Sequence, residues 1–291
     1  MELYVLLALL AASFQAFSSV YSKRLHAYTD NPLKVAVYSM FGCAAITSLL
    51  LPFVNLSHIT LAPGLLALMC GAVVCGHLLF ISAVRAGDAS FVVPMMGVKM
   101  FIVAGLAALL LGETYGPLVY LGAGGAFVGM FFLNDGTLRA PVKAVLLVLG
   151  TMSFFGLTDV LLILLLQAGY TALEVMVFMF VLPSLALMPF AAYQFRGDWR
   201  ISKDFAGSLS LFGLFQMLGG FCLMIAFALS HKATMVNIIQ SARGLFAIGV
   251  VYLITRSGMA GFETLNRKQY LSRLFGAALM SGSIVLAVLA R

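Results

Sequence analysis

Long apolar runs, separated by short polar breaks, follow one another along the whole chain. At about 1.5 Å per residue, a helix of some twenty apolar residues crosses the roughly 30 Å hydrocarbon core of a bilayer. The runs are continuous, whereas the strands of a membrane barrel alternate between apolar and polar positions. The pattern therefore predicts ten transmembrane helices, over residues 2–22, 33–54, 64–85, 89–111, 116–133, 143–167, 172–193, 205–229, 233–254 and 270–290.

The second half of the chain repeats the first. A shift of 144 residues places residues 76–113 on residues 220–257 without a gap, and it places Lys99 on Arg243. Because each half holds five runs, an odd number, the second half enters the bilayer from the opposite side. We therefore predict an all-α membrane protein of ten transmembrane helices, built from two inverted five-helix repeats. The two repeats are residues 1–137 and 138–291.

Composition supports a polytopic membrane protein. Hydrophobic residues make up 63% of the 291 residues and charged residues 9%, against about 25% charged residues in soluble domains. The formal net charge of +7 comes from scattered cations, without the basic cluster of a nucleic-acid-binding surface. The sequence contains no G-x-x-x-x-G-K-S/T motif, which excludes ATP hydrolysis as the direct driving force. We expect no cofactor and no nucleic-acid partner.

The loop cations predict an orientation in the membrane. With ten spans both termini lie on the same side, and that side holds Lys232 and Arg291. The other side holds the remaining loop cations, which are Lys23, Arg24, Lys34, Arg85, Arg139, Lys143, Arg196, Arg200, Lys203, Arg256, Arg267, Lys268 and Arg273. Because cytoplasmic loops carry the excess of Lys and Arg, we predict that both termini face outward, in a bacterial inner membrane.

Two cations lie inside apolar runs, Lys99 in residues 89–111 and Arg243 in residues 233–254. A charge at that depth costs about 2.5–3.5 kcal/mol on insertion scales, so each of them requires a partner or a function. Arginine binds carboxylate or phosphate through a bidentate fork, and lysine acts as a point charge. The two residues either bind an anion at the middle of the bilayer or pair with an internal carboxylate.

Asp159 is an acid well inside a run, and the 144-residue shift places Gln15 on it. Asp159 can pair with Lys99 or Arg243, carry a proton, or contact the substrate. His77 lies near the middle of the third run, where it either bonds a neighbouring helix or lines a cavity. Because no second histidine occurs at ligand spacing, we predict no metal site.

Neutral polar residues accompany these charges. Asn237, Gln240 and Arg243 are spaced by three residues, so successive side chains differ in direction by about 60° on an α-helix. Such a stripe either lines a substrate site or hydrogen-bonds helices together. The candidate substrate-binding residues are Lys99, Arg243, Gln240, Asn237, His77 and Gln15, with Asp159 as a coupling or ion-pairing residue.

Short motifs at the ends of the runs match a known family. Residues 83–90 read AVRAGDAS, residues 109–113 read LLLGE, and residues 228–234 read ALSHKAT. In these motifs the chain resembles the drug/metabolite transporter superfamily, specifically the ten-helix proteins with two EamA-type domains. The closing LGE is absent from the second half, where residues 255–258 read TRSG.

The resemblance implies a ten-helix carrier with an inverted repeat. Helices one, three, four, six, eight and nine would surround a central cavity, with helices five and ten packed behind them. Members of the family include exporters of amino acids and other metabolites, and relatives in the superfamily exchange phosphorylated compounds.

We therefore predict a secondary transporter, an exporter, of a small anionic or zwitterionic metabolite such as an amino acid or a phosphorylated or carboxylated compound. Alternating access would occur at a midplane site. An alternative is a flippase for a lipid-linked anionic headgroup, which requires a lateral opening between helices. An enzyme lacks support, because neither paired histidines nor a Ser-His-Asp set occurs. A G-x-x-x-G pair, Gly125 and Gly129, permits close helix contact within a monomer or in a dimer.

Overall fold

The computed structural model describes residues 2–29, 31–86, 92, 95–96, 99–133, 142–256 and 267–289. This part of the chain is helical apart from short connections, and it contains no strand. Two 3₁₀ turns, Leu51–Phe53 and Leu56–Thr60, follow the second helix. The α-helices are α1 (Leu3–His26), α2 (Pro32–Ser48), α3 (Pro63–Ala86), α4 (Lys99–Leu110), α5 (Pro117–Leu133), α6 (Val142–Gln167), α7 (Ala172–Phe195), α8 (Lys203–Ser230), α9 (Ala233–Gln240), α10 (Arg243–Arg256) and α11 (Arg267–Leu289).

The all-α, membrane-spanning class is confirmed. Within the described residues, five helices are long and apolar enough to cross a membrane, namely α1, α3, α6, α7 and α8. Each has at least 24 residues, which at 1.5 Å per residue is about 36 Å or more. Shorter apolar helices are α4, Pro117–Gly129 within α5, and Ala278–Ala287 within α11.

The ninth run, predicted as one span over residues 233–254, is helical along that length but is not one continuous helix. α9 ends at Gln240, and α10 begins at Arg243. Ser241 N donates to Asn237 O at 3.0 Å and also to Ile238 O at 3.2 Å, and Ala242 N donates to Ile239 O at 3.1 Å and not to the fourth preceding residue. These bonds to the third preceding residue tighten the path into a 3₁₀ turn. The Ser241 hydroxyl also donates to Ile238 O at 2.6 Å, a backbone contact that bends helices.

Three further boundaries differ from the predicted ones or lie outside the described residues. The second run, predicted over residues 33–54, is α-helical only as far as Ser48 before the 3₁₀ turns begin. The first part of the fourth run, residues 89–98, is described only at residues 92 and 95–96. The predicted boundary between the repeats, at residues 137 and 138, also lies outside the described residues.

Local capping signals explain where several helices begin. The side chain of Asn31 accepts from the backbone N–H groups of Leu33 and Lys34, and Pro32 occupies the first helical position of α2. At α7, Thr171 and Glu174 form a reciprocal capping box. These contacts satisfy backbone donors that would otherwise lack a partner at a helix start.

Most of the packing joins the first half of the chain to the second. α1 packs against α8, α3 against α6, α2 against α7, and α5 against α11. The α5–α11 contact uses small residues, because a Cβ at Gly122 would lie 2.7 Å from Ala287 Cβ and one at Gly129 would lie 2.7 Å from Met280 N. A Cβ at Gly125 would likewise meet the Ser283 side chain of α11, so the G-x-x-x-G pair serves contact within the chain in this structure.

Candidate functional site

A central cavity of about 110 Å³ lies among the long helices. Its lining residues come from α1, α2, α3, α4, α6, α7, α8, α9 and α10, and the described parts of α5 and α11 contribute none. The lining positions on the long helices, such as Gln15 in α1 and His77 in α3, lie near the middle of each helix. The resemblance implied that the first, third, fourth, sixth, eighth and ninth predicted helices line the cavity, and the ninth corresponds to α9 and α10. In the structure, α2 and α7 line the cavity as well.

Five polar side chains form a continuous central polar network in this cavity. Lys99 Nζ donates to Asp159 Oδ2 at 2.6 Å and to Gln240 Oε1 at 3.4 Å. Gln240 Nε2 donates to Gln15 Oε1 at 3.0 Å. Arg243 donates from its guanidinium to the same Gln15 oxygen at 3.1 Å. The central polar network thus runs from Asp159 through Lys99, Gln240 and Gln15 to Arg243, and it joins α6, α4, α9, α1 and α10.

The turn between α9 and α10 aligns two members of the central polar network. In a 3₁₀ turn, side chains three residues apart lie one above the other. Gln240 and Arg243 stand on either side of this turn, and both reach the single oxygen of Gln15. A continuous α-helix would turn these side chains about 60° apart. The break therefore brings the last residue of α9 and the first residue of α10 onto one acceptor.

His77 lines the central cavity and also bonds a neighbouring helix. Its Nε2 lies 2.7 Å from the Ser39 hydroxyl of α2. The sequence left open whether His77 bonds a neighbouring helix or lines a cavity, and in the structure its ring does both. Gln216 also lines the cavity, and its Oε1 accepts from the Ser18 hydroxyl at 2.8 Å. Histidine and glutamine thus add neutral polar groups to the cavity wall.

Asn237 lies beside the central polar network. Its amide nitrogen donates to Ala233 O of its own helix at 3.0 Å, and its buried Oδ1 has no hydrogen-bond partner among the described residues. Together with Lys99 and Arg243, it lines a small space of about 10 Å³. Asn237 therefore presents an acceptor oxygen close to both buried cations, and it forms no described bond to a neighbouring helix.

The structure brings all seven candidate residues together. Lys99, Asp159, Gln15 and Gln240 are buried, and Arg243 is partly buried. Two cations and one carboxylate can bind a negatively charged group away from water. Across the described residues, no group of three or more His, Cys, Asp or Glu side chains is arranged to hold a metal ion.

Sequence reasoning missed the role of Glu113. This residue ends the LLLGE motif, and its Oε1 accepts from the backbone N–H of Ala233 at 2.6 Å. Its Oε2 accepts from Thr234 N at 3.3 Å and from the Tyr115 hydroxyl at 2.9 Å. Burial, followed by the adjacent Glu113 carboxylate, raises the pKa of Tyr115 above its usual value, so the phenol remains a donor. A motif of the first half therefore caps α9 of the second half.

The fold and the buried cavity define a multi-pass helical membrane protein. Residues 2–135 match the profile of the EamA-like transporter family. This match confirms the resemblance to EamA-type members of the drug/metabolite transporter superfamily. The match supports a membrane transporter of small molecules.

Solved structures share the fold. One, described only as the crystal structure of a protein, aligns with a TM-score of 0.74 over 99% of this chain and 97% of its own, at 16% sequence identity. Among curated proteins, none has a sequence that matches this chain.

Proposed function

We propose that this protein is a secondary carrier that exports a small organic metabolite with an anionic or zwitterionic group. The observation that carries the proposal is the central polar network, in which Lys99 and Arg243 lie together in a cavity surrounded by helices of both halves. Cations are expensive inside a bilayer and mark substrate paths there. We assign Lys99 and Arg243 to the binding of the substrate anion, with Gln15, His77, Asn237 and Gln240 as polar lining.

Alternating access between two inverted repeats is part of the proposal. The helix pairing supports it, because α1 of the first half packs on α8, and its counterpart α6 packs on α3. Two helices pack on their own counterparts in the other half, α2 on α7 and α5 on α11, as the same two-fold relation requires. A volume of about 110 Å³ is below the roughly 300–1,000 Å³ of typical small-molecule sites. A metabolite therefore enters only when the helices separate on one side.

The direction of transport follows from charge. A potential of 100 mV, negative inside, favours the exit of each negative charge by about 2.3 kcal/mol. Export of an anion therefore needs no coupled ion. With both termini outside, as the loop cations predict, the protein would work in the bacterial inner membrane as a multi-pass carrier.

An untargeted comparison of metabolites tests this function. Cells that overexpress the protein are compared with cells that lack it, beside Lys99→Ala and Arg243→Ala variants. We expect at least one organic anion to accumulate outside overexpressing cells, and to do so less with either variant. Arg200→Ala is a matched control, because Arg200 is an exposed loop cation. Equal export by the wild type and both cavity variants would contradict the assigned roles.

A lipid-linked anion is the second candidate, and an apolar groove favours it. A groove of about 660 Å³ is lined almost wholly by apolar residues of α1, α9, α10 and α11. Ala242 and Phe246 line this groove, while Arg243 between them lines the central cavity. A headgroup at Arg243 would therefore leave an acyl chain beside the groove.

A groove-filling substitution separates the two candidates. Gly249 lines the groove, and a Cβ added there would meet no atom within 4 Å, so Gly249→Leu fills the groove without a clash at Cβ. We expect Gly249→Leu to leave export of a water-soluble anion unchanged. Loss of activity on a lipid-linked anion in this variant would favour the flippase.

A further inference from the structure

The two halves of the chain make the same contact with different charges. Lys99 of α4 bonds Asp159 of α6 at 2.6 Å, and Arg243 of α10 bonds Gln15 of α1 at 3.1 Å. The shift of 144 residues that places Lys99 on Arg243 also places Gln15 on Asp159. Each contact thus joins a cation of one half to a polar residue of the other half, at equivalent positions. One acceptor is a carboxylate and the other is a neutral amide.

On the side of Lys99 the charge is neutralised. Lys99 Nζ and Asp159 Oδ2 form an ion pair, and both side chains are less than a tenth exposed. Away from water, two opposite charges at this distance interact strongly. Lys99 therefore has little attraction left for a second anion while Asp159 is ionised.

On the side of Arg243 no described carboxylate lies in contact, and Asp159 acts on the guanidinium only from beyond 4.0 Å. Gln15 offers only a neutral oxygen, and that oxygen is shared with Gln240 Nε2. Within the described part of the chain, Arg243 forms no ion pair within 4.0 Å. Its planar guanidinium carries five N–H donors, suited to a carboxylate or a phosphate. Arg243 is therefore the cation with free capacity.

The cavity wall as a whole carries one positive charge in excess. Among its described lining residues the cations are Lys99 and Arg243 and the acid is Asp159, with His77 counted as neutral. A net charge of either sign is unfavourable in a cavity away from water. A bound group with a single negative charge balances the cavity, and a second negative charge would have no partner.

We propose that Asp159 sets the charge selectivity of the carrier: by neutralising Lys99, it leaves Arg243 as the binding cation and restricts the substrate to one net negative charge. This inference rests on the proposed function of an organic-anion carrier. It makes Asp159 a specificity-determining residue and narrows the role assigned to Lys99 above: while Asp159 is ionised, Lys99 holds Gln240 and Asp159 in place, and Arg243 alone contacts the anion.

Exchange of the two acceptors tests the inference. Asp159→Asn leaves two uncompensated cations, Gln15→Asp leaves none, and the double substitution Gln15→Asp/Asp159→Asn moves the carboxylate beside Arg243. Proteoliposomes with each protein are loaded with a small-molecule extract of bacterial cells, which contains organic anions of one and two charges. Mass spectrometry then measures which compounds each protein releases, relative to empty liposomes.

We expect the wild type to release mainly monoanions. Asp159→Asn should raise the ratio of released dianions to monoanions at least tenfold, and Gln15→Asp should lower the release of all anions at least tenfold. The double variant should release monoanions again. This rescue would not follow if Asp159 only stabilised the fold, since it removes the native ion pair.

Three outcomes would count against these proposals, and they are distinguishable. Release of no organic anion by the wild type contradicts the proposed function itself. Wild-type release with an unchanged ratio in a folded Asp159→Asn protein contradicts only the charge selectivity. Should Asp159→Asn fail to fold, Gln15→Asp remains decisive because it keeps the native pair of Lys99 and Asp159, and undiminished release by Gln15→Asp would overturn the inference.

Discussion

Lys99 and Asp159 form an ion pair whose two side chains are both buried. Their atoms lie 2.6 Å apart, and the lysine also bonds Gln240. A buried ion pair need not stabilise a protein relative to apolar residues, but removal of one partner leaves the other charge uncompensated. The pair therefore makes a sharp prediction about stability that is separate from transport.

We predict that Lys99→Met lowers the free energy of unfolding by about 3–5 kcal/mol, because it leaves the buried Asp159 carboxylate without its counter-charge. Lys99→Met/Asp159→Asn removes both charges and should recover most of that loss. Denaturant unfolding of the purified protein in detergent micelles measures both values. A double variant that is as unstable as Lys99→Met would show that the two charges do not compensate each other.

For the individual side chains, the sequence predicted which residues form the site but not how they pair. Polar groups are rare in apolar runs, so Lys99, Arg243 and Asp159 stand out from composition alone. The sequence left both cations open as partners of Asp159, because the choice depends on how α4, α6 and α10 approach one another. The position of Gln15 as the shared acceptor depends on the 3₁₀ turn after Gln240, which the apolar pattern does not show.

Among the helices, the contact between α5 and α11 depends on the absence of side chains. A Cβ at Gly129 would lie 2.7 Å from Met280 N and 2.8 Å from Gly276 O, which are backbone atoms that cannot rotate away. A Cβ at Gly124, on the same helix, would meet no atom within 4 Å. Gly129 therefore lies in the helix contact and Gly124 lies outside it, so a substitution at Gly124 serves as the control for one at Gly129.

We expect Gly129→Val to destabilise the protein by about 1–3 kcal/mol, the usual penalty for overpacking. Gly124→Val is the control, and it should change stability by about 0.5 kcal/mol or less. Thermal unfolding in detergent reports both. Equal unfolding temperatures for the two variants would mean that α5 does not pack on α11 through this face.

Glu113 links the end of α4 to the start of α9. We predict that Glu113→Ala costs about 0.5–2 kcal/mol of stability, because the backbone donors at Ala233 and Thr234 lose their acceptor. Glu113→Gln keeps an acceptor oxygen and should lose less. The same unfolding measurement ranks the three proteins. A Glu113→Gln protein no more stable than Glu113→Ala would contradict a capping role.

The helices themselves were largely predictable, and the break between α9 and α10 was not. Apolar runs of about twenty residues give the spans directly, whereas a 3₁₀ turn at Ser241 and Ala242 keeps the run apolar and differs only in hydrogen bonding. The missing LGE motif of the second half gave no sign that Glu113 would serve as the cap of a helix from the other half. Contacts between halves arise from packing, which a local pattern does not encode.

The loop cations predict a defined orientation of the whole molecule in the membrane. Ser57 and Arg200 are exposed positions in connections that the loop charges place outside and inside, respectively. On a background in which the four native cysteines are replaced, Ser57→Cys should react with a membrane-impermeant maleimide in intact cells. Arg200→Cys should react only after permeabilisation. Labelling of Arg200→Cys in intact cells would reverse the predicted orientation.

We propose above all that Arg243 binds the anionic group of the exported metabolite inside the membrane. The most direct measurement is calorimetric binding of the metabolite found in the cell comparison to the wild type, Arg243→Gln and the loop control Arg200→Gln. Because a hydrogen bond to a charged group contributes about 1.5–3 kcal/mol, Arg243→Gln should weaken binding at least tenfold while Arg200→Gln leaves it unchanged. Equal affinity of a folded Arg243→Gln protein and the wild type would contradict the account.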